Sequence, residues 1–236
     1  MIYIWATATD TGLVRDHNED SVAPRDMGIE TAPFVVGVAD GMGGHAGGEI
    51  ASEIALAAAI DADGDVVARV EVANLAVVEA AAADPSLRGM GTTLTIGRFA
   101  DDGVEIAHVG DSRAYLLRGR NLEQITTDHS LIAEMVARGE ITVEESAVHP
   151  YRSVITRAIG LQLEVEVDRE HRSLEVGDRV LFCTDGLTGM VDADSIRDIL
   201  LADSHPTQSV WALVEAANAA GGIDNISVVV VGVGSD

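Results

Sequence analysis

The hydrophobic positions of the chain fall into short continuous runs and into stretches with helical spacing. Continuous apolar runs predict three buried strands, in "APFVVGVAD" (32–40), "DRVLFCTDG" (178–186) and "NISVVVVGVG" (225–234). Four shorter β-prone runs between 91 and 127 are separated by Gly or Asp turns, and they predict an antiparallel meander. The β content is therefore concentrated in clusters rather than spread evenly along the chain.

Apolar residues spaced three and four apart predict the helices, most of which come in pairs. They are expected over 47–60, 65–84, 130–146 with a break at Gly139, 192–203 and 206–221. Clustered strands and paired helices, without strict alternation of the two, favour an α+β fold with antiparallel sheets. The length allows one large domain or two small ones, and no low-complexity linker divides the chain.

Composition narrows the classes of partner and compartment. The 236 residues include 39 acidic and 15 basic ones, for a net charge of −24, which disfavours binding to nucleic acid or to anionic lipid. The single cysteine, Cys183, excludes an internal disulfide framework and a multi-cysteine zinc site. No secretory leader and no apolar stretch of about 18 residues is present. We expect a cytoplasmic protein, with a membrane tether in a longer parent chain left open.

Four aspartates stand at the ends of apolar runs: Asp40, Asp111, Asp185 and Asp224. A buried carboxylate is costly unless it meets a cation or several hydrogen bonds, and basic residues are scarce here. Oxygen ligands without clustered cysteine or histidine favour a hard ion such as Mg²⁺ or Mn²⁺. For any single Asp-Gly pair the alternative is a simple turn, because both residues are preferred in turns.

Two other motifs suggest different functions, and a third common motif is missing. The acids at 61, 63 and 65 resemble the start of a calcium loop, but the glycine and the closing glutamate are misplaced, so we expect a turn between helices. Ser112, with Asp168 and His171, suggests a serine hydrolase but lacks the Gly-x-Ser-x-Gly elbow. A phosphate-binding Gly-x-x-x-x-Gly-Lys-Ser/Thr loop is absent from the sequence.

Eight motifs in order resemble one known family, the metal-dependent (type 2C) Ser/Thr protein phosphatases in their compact bacterial form. The motifs are "GLVRDHNED", "ADGMGGHAGGEIAS", "GMGTTLT", "HVGDSRAYLLR", "TTDHS", "HPYRSVITRAIG", "LFCTDGL" and "GGIDNISVVVV". The resemblance implies a four-layer αββα sandwich of two antiparallel sheets flanked by helix pairs. It also implies one catalytic domain over 1–236, with a flap over about 128–159 that covers the cleft.

The resemblance further implies two Mn²⁺ or Mg²⁺ ions in a cleft at one end of the sandwich. Asp40 is similar to the carboxylate that bridges both ions, and the Gly41 carbonyl to a ligand of the second ion. Asp185 and Asp224 are similar to ligands of the first ion. These assignments follow from the family motifs and not from the spacing of the acids.

The remaining metal roles implied by the family are weaker. Glu19 and Asp20 resemble acids at the second ion that act partly through water. Asp111 is similar to the ligand of a third, weaker ion in bacterial members, to which Ser153 is expected to contribute.

Two residues carry the other expected roles. Arg15 resembles the arginine that grips the substrate phosphate, and its planar fork suits two phosphate oxygens. His45 resembles the histidine proposed as general acid, and the ordinary histidine pKa of ~6.5 lets both forms exist near neutrality.

The expected reaction is hydrolysis of phosphoserine and phosphothreonine in proteins by a metal-bound hydroxide, which reverses bacterial Ser/Thr kinase signalling. Expected partners are phosphorylated proteins and Ser/Thr kinases, and a monomer is expected. Two alternatives stay open. The first is a phosphatase of sigma-factor regulatory proteins. The second is a non-catalytic phosphoprotein-binding module, which has no need of four metal-ligand aspartates.

Overall fold

The structure, a computed structural model, describes residues 1–43, 47–146, 149–202 and 205–235. The described residues form twelve strands and seven α-helices. The strands are β1 (Ile2–Asp10), β2 (Asp20–Ala23), β3 (Gly28–Thr31), β4 (Phe34–Met42), β5 (Gly91–Thr92), β6 (Leu94–Ala100), β7 (Gly103–Val109), β8 (Arg113–Arg118), β9 (Asn121–Gln124), β10 (Asp168–Arg172), β11 (Arg179–Cys183) and β12 (Ile226–Gly234). The helices are α1 (Gly47–Asp61), α2 (Val66–Ala83), α3 (Leu131–Ala137), α4 (Val143–Ser146), α5 (Asp185–Thr188), α6 (Ala193–Ala202) and α7 (Pro206–Ala219).

Two antiparallel sheets pack face to face. The first sheet has the strand order β3-β1-β12-β11-β8-β9, and the second has the order β10-β7-β6-β4-β2, with β5 paired to β4. The first and last strands pair along their whole length, from Ile2 opposite Gly234 to Asp10 opposite Ile226. Two neighbouring strands of the first sheet therefore come from opposite ends of the described chain.

Three hydrophobic cores separate the four layers. Tyr3, Phe99 and Phe182 are fully buried between the sheets, with Tyr3 packed edge-on to Phe99 at a centroid distance of 5.1 Å. The helices α1 and α2 cover the second sheet, and α6 and α7 cover the first. The expected α+β sandwich of two antiparallel sheets between helix layers is confirmed.

The prediction of a single meander over 91–127 is wrong, because its four strands belong to two different sheets. Strands β6 and β7 pair in the second sheet, whereas β8 and β9 pair in the first. The chain crosses between sheets at 110–112, where Gly110 has a φ of +114° that other residues rarely adopt. The apolar runs look alike on both sides of this corner, so the sequence pattern does not reveal the change of sheet.

The breaks between helices follow local chemistry. The Asp65 side chain accepts hydrogen bonds from the backbone N–H groups of Val67 (3.1 Å) and Ala68 (3.0 Å), which caps α2. The acids at 61–65 thus form the expected interhelical turn. Gly139, with a φ of +70°, separates α3 from α4 as expected. Among the described residues, no helix combines the length and the apolarity needed to cross a bilayer.

Candidate active site

Acids from both sheets meet at one end of the sandwich. Asp40 lies near the end of β4, directly opposite Asp20 at the start of β2. Asp185 follows β11 within two residues, and Asp224 precedes β12 by two. Asp111 occupies the corner where the chain crosses between sheets. Because antiparallel neighbours bring the end of one strand beside the start of the next, these distant positions converge.

The carboxylates at this end interact electrostatically. Burial, followed by the charges of Asp20 and Asp185, raises the pKa of Asp40 well above its ordinary value. Burial and then the Asp224 charge raise the pKa of Asp185, although a hydrogen bond with Asp40 opposes the rise. Burial and then Asp185 raise the pKa of Asp111 to about 7. Without a cation, ionising all of these groups together is therefore unfavourable.

The donor set suits a hard divalent cation. Asp20 Oδ1 and Asp185 Oδ1 are buried and have no hydrogen-bond partner among the described atoms, so they are left for a ligand of opposite charge. The converging donors are oxygens, which Mg²⁺ and Mn²⁺ prefer. Among the described residues, no group of three acidic, histidine or cysteine side chains is placed to hold a metal ion. The fit to divalent cations rests instead on the type of donor atom and on the two buried, unpartnered carboxylate oxygens.

Two threonines hold the backbone of Asp40. Thr93 Oγ1 accepts a hydrogen bond from the Asp40 N–H at 2.9 Å, and the Asp40 carbonyl accepts from Thr92 Oγ1 at 2.8 Å and from the Thr93 N–H at 2.9 Å. Thr92 also exchanges backbone hydrogen bonds with Ile159. The position of Asp40 is thus fixed from the side on which the 128–159 segment ends. Sequence reasoning missed both threonines, although they stand together in "GMGTTLT".

Glycine at position 41 permits three backbone segments to meet. A Cβ there would lie 2.1 Å from the Gly48 carbonyl oxygen and 2.5 Å from the Glu19 carbonyl oxygen. The Gly41 N–H donates to that Glu19 oxygen at 3.1 Å. The bare backbone after Asp40 therefore packs α1 and the 11–19 loop against the strand end.

Arg15 approaches the acids from the 11–19 loop. Its Nη2 donates to Asp224 Oδ2 at 2.7 Å, and about half of its side chain remains exposed. This hydrogen bond, together with the nearby charges of Asp40 and Glu19, raises the pKa of Arg15. The guanidinium group, which is always charged, thus lies at the edge of the acid cluster, where the carboxylates would otherwise repel an anionic substrate.

Asn225 fastens the 11–19 loop and was missed by sequence reasoning. Its Nδ2 donates to the carbonyls of Thr11 (3.0 Å) and His17 (2.9 Å), and its Oδ1 accepts from the Glu19 N–H at 2.8 Å. The side chain is buried. Its position directly after Asp224 in "GIDNIS" was the available signal. One amide group therefore ties the segment carrying Arg15 to the start of β12.

Behind Asp111, buried polar groups link the corner to the core. Ser112 is fully buried, and its Oγ shares a hydrogen bond of 2.7 Å with Thr93 Oγ1. A buried serine committed to this contact does not suit a hydrolase nucleophile, in line with the motif argument. His108 contacts Thr95 Oγ1 at 2.8 Å, and burial lowers its pKa to about 4. His108 is therefore neutral near pH 7.

Three predicted site residues remain, namely Glu19, Ser153 and His45. Glu19 lies on the 11–19 loop, and burial raises its pKa. Ser153 is exposed, and no contact described for it joins it to the acids. His45 lies outside the described residues. A separate cleft of about 400 Å³ on the flank shares Asp20 with the acid cluster; Arg15 and Asp40 are not among the described residues that line it.

Comparisons with known proteins give a consistent result. The family model described as "Protein phosphatase 2C" matches residues 15–218. A serine/threonine phosphatase, stp, of Listeria welshimeri is 38% identical over 94% of this chain and 93% of its own. The serine/threonine protein phosphatase PstP of Mycobacterium tuberculosis is 40% identical over 98% of this chain, which spans only 45% of that longer protein.

Solved structures agree with these relatives. A crystal structure of the M. tuberculosis phosphatase PstP superposes with a TM-score of 0.90 at 39% identity, covering 100% of both chains. A structure of the PstP catalytic domain in complex with two manganese ions superposes with a TM-score of 0.86 at 38% identity, again covering 100% of both chains.

Proposed function

This chain belongs to the protein phosphatase 2C family, and we propose that it hydrolyses phosphoserine and phosphothreonine esters in proteins with the help of two Mn²⁺ or Mg²⁺ ions. Its reaction class is that of a metal-dependent Ser/Thr protein phosphatase. The observation that supports this most directly is the convergence of buried carboxylates from both sheets, two of them with unpartnered oxygens, beside the exposed Arg15.

The roles that we propose for the acids are those that the family motifs imply. Asp40, at the centre of the cluster, would bridge two cations, with the Gly41 carbonyl on one of them. The outer ligands would come in pairs: Asp185 with Asp224 on the first ion, Glu19 with Asp20 at the second, and Asp111 with Ser153 at a third, weaker site. When bound, such cations supply Lewis acidity that lowers the pKa of a shared water toward neutrality.

The chain's own residues orient the phosphate and handle the proton. The Arg15 guanidinium can bind two phosphate oxygens at the same time. To do so, the incoming phosphate must displace the hydrogen bond that Arg15 makes to Asp224. We place His45 as the donor of a proton to the departing serine or threonine oxygen. The buried acids keep other anions away, so the attractive field is confined to the cations and Arg15.

The biological role we propose is reversal of phosphorylation by bacterial Ser/Thr kinases, with phosphorylated proteins, including those kinases, as partners. The protein would act as a monomer. Turnover of an autophosphorylated Ser/Thr kinase domain should exceed that of a phosphorylated sigma-factor regulator at equal concentration; the reverse ranking would favour the second role. Light scattering at working concentration should give the mass of a single chain.

Substitutions that remove a charge but keep the side-chain shape test the proposed chemistry of the acid cluster. Asp40→Asn and Asp185→Asn should each reduce Mn²⁺-dependent turnover of p-nitrophenyl phosphate at least about 100-fold. Without metal, both variants should unfold at the same temperature as the parent or a higher one, because a like charge has been removed. Mn²⁺ should raise the melting temperature of the parent much more than that of either variant.

Asp63→Asn provides a matched control, because Asp63 is an exposed aspartate in the turn between α1 and α2. It should leave both activity and the Mn²⁺ effect on melting unchanged. If the parent shows no metal-stimulated turnover, the non-catalytic module is the better explanation. If Asp40→Asn keeps its turnover, the bridging role is wrong.

The role of His45 is tested by the leaving group. His45→Ala should slow hydrolysis of a phosphoserine peptide more than that of p-nitrophenyl phosphate, whose leaving group needs no added proton. Equal losses for the two substrates would remove His45 from the mechanism as a proton donor.

A further inference from the structure

Three exposed aliphatic side chains lie beside Arg15 and Asp224 on two neighbouring turns. Leu13 is 69% exposed, Val14 is 63% exposed and Ile223 is 46% exposed. Single exposed apolar residues are ordinary, but a group of them next to a charged binding site is a feature of recognition surfaces. We call these three residues the apolar rim.

The two turns that carry the apolar rim are locked together through their backbones. The Leu13 N–H donates to the Gly222 carbonyl at 2.7 Å. Gly12 has a φ of +78°, and a Cβ there would lie 2.3 Å from the Asp224 carbonyl oxygen. A Cβ on Gly222 would lie 3.0 Å from Leu13 Cγ. The rim is thus held on a close-packed platform and does not need to be ordered when a partner binds.

The rim lies within reach of the residues that flank a bound phosphoresidue. Leu13 is two positions from Arg15, and two extended residues span at most about 7 Å. Ile223 is adjacent to Asp224, which Arg15 contacts at 2.7 Å. The distance therefore allows a residue one or two positions from a phosphate on Arg15 to contact the rim.

The chemistry of this surface selects the kind of side chain that fits. The rim side chains offer no hydrogen-bond donor or acceptor, so a polar flanking residue would lose water contacts without replacement. An acidic flanking residue would also approach Glu19 and Asp224 in a protein of net charge −24. An aliphatic side chain loses only its contact with water, which is favourable.

We propose that the apolar rim binds an aliphatic side chain within two positions of the phosphoserine or phosphothreonine of the substrate protein. The inference rests on the proposed function, since it assumes that Arg15 receives the phosphate. It adds a sequence preference at a surface that does not take part in the chemistry.

The test compares phosphothreonine peptides that carry either leucine or asparagine at each of the four positions from −2 to +2. For at least one position, the parent protein with saturating Mn²⁺ should show a kcat/KM about 10-fold higher for the leucine peptide. The double variant Leu13→Asn/Ile223→Asn should reduce this preference below about 3-fold. Its kcat/KM for p-nitrophenyl phosphate should not change, because that substrate has no flanking residues.

Leu163→Asn is the matched control, because Leu163 is equally exposed but belongs to a loop held by Asn74. This variant should keep the full preference. No preference in the parent, or an undiminished preference in the double variant, would overturn the proposal while p-nitrophenyl phosphate turnover still supports the phosphatase. A dimer that the double variant abolishes would assign the rim to a second copy instead, and would also overturn it.

Discussion

The amide of Asn225 offers a sharp test of how the candidate site is held together. Replacing Asn225 by alanine removes three hydrogen bonds, of 3.0, 2.9 and 2.8 Å, from a side chain that is only 5% exposed. Each such bond contributes roughly 0.5–1.5 kcal/mol net, so the free energy of unfolding should fall by about 2–4 kcal/mol. The 11–19 loop would also lose its fixed distance from β12.

The chain supplies an almost identical amide elsewhere. Asn74 donates to the carbonyls of Gln162 (2.9 Å) and Leu163 (3.2 Å) and accepts from the Gly160 N–H at 2.9 Å. Asn74→Ala should therefore cost a similar free energy of unfolding. Unlike Asn225, it does not fasten the loop that carries Arg15.

Urea unfolding in the presence of EDTA and p-nitrophenyl phosphate turnover with saturating Mn²⁺ separate the two effects. Both variants should lose similar stability, but only Asn225→Ala should lose about 100-fold in kcat/KM, the scale expected from a displacement of about 1 Å. Asn74→Ala should stay within a few-fold of the parent. If Asn225→Ala retains full activity while losing the expected stability, the amide is a structural residue and does not position Arg15.

Two further substitutions test close packing and buried charge. Gly41→Ala would place a Cβ 2.1 Å from the Gly48 carbonyl oxygen, so thermal unfolding should show a loss of several kcal/mol in the free energy of unfolding. The control Gly119→Ala has a φ of +60° but no atom within 4 Å of the new Cβ, and it should cost about 1 kcal/mol. Equal costs for the two variants would refute the close approach at Gly41. His108 should be neutral when folded, because burial lowers its pKa from 6.5 to about 4, so the unfolded chain takes up the proton first and stability falls as the pH drops. Between pH 7 and 5 this loss should amount to about 2 kcal/mol and should disappear in His108→Gln but not in the exposed control His171→Gln; an unchanged pH dependence in His108→Gln would contradict it.

Much of the architecture could be predicted from apolar runs and helical spacing, but β1 could not. In "IYIWATATD" the side chains of Tyr3 and Trp5 enter the core between the sheets, whereas Ala6 and Ala8 face the helices. Its buried residues change from one face to the other between Trp5 and Ala6, and Thr7 and Thr9 interrupt the apolar run, so β1 shows neither a continuous apolar run nor a single apolar face. Its place beside β12 depends on contacts across the whole chain.

The sequence predicts those residues of the candidate site whose type is unusual at their position. Asp40, Asp185 and Asp224 are predicted because a carboxylate at the end of an apolar strand is costly unless it meets a cation or several hydrogen bonds. Asn225 and Thr93 did not stand out, because amides and hydroxyls that bond to backbone groups are common and their partners are distant in sequence. Their role becomes visible only when the loops and strands are brought together.

The pairing of β1 with β12 affects how the protein folds during its synthesis. Thr9 and Ser227 share a hydrogen bond although they are 218 positions apart. On a ribosome, β1 emerges before β12 and has no partner on that edge until the residues between the two strands have been synthesised. During that delay its unpaired edge is open to other nascent chains, and contacts of such long range are slow to form. The segment that carries Arg15 and Glu19 leads directly out of β1, so catalytic competence should appear only after β12 has been synthesised.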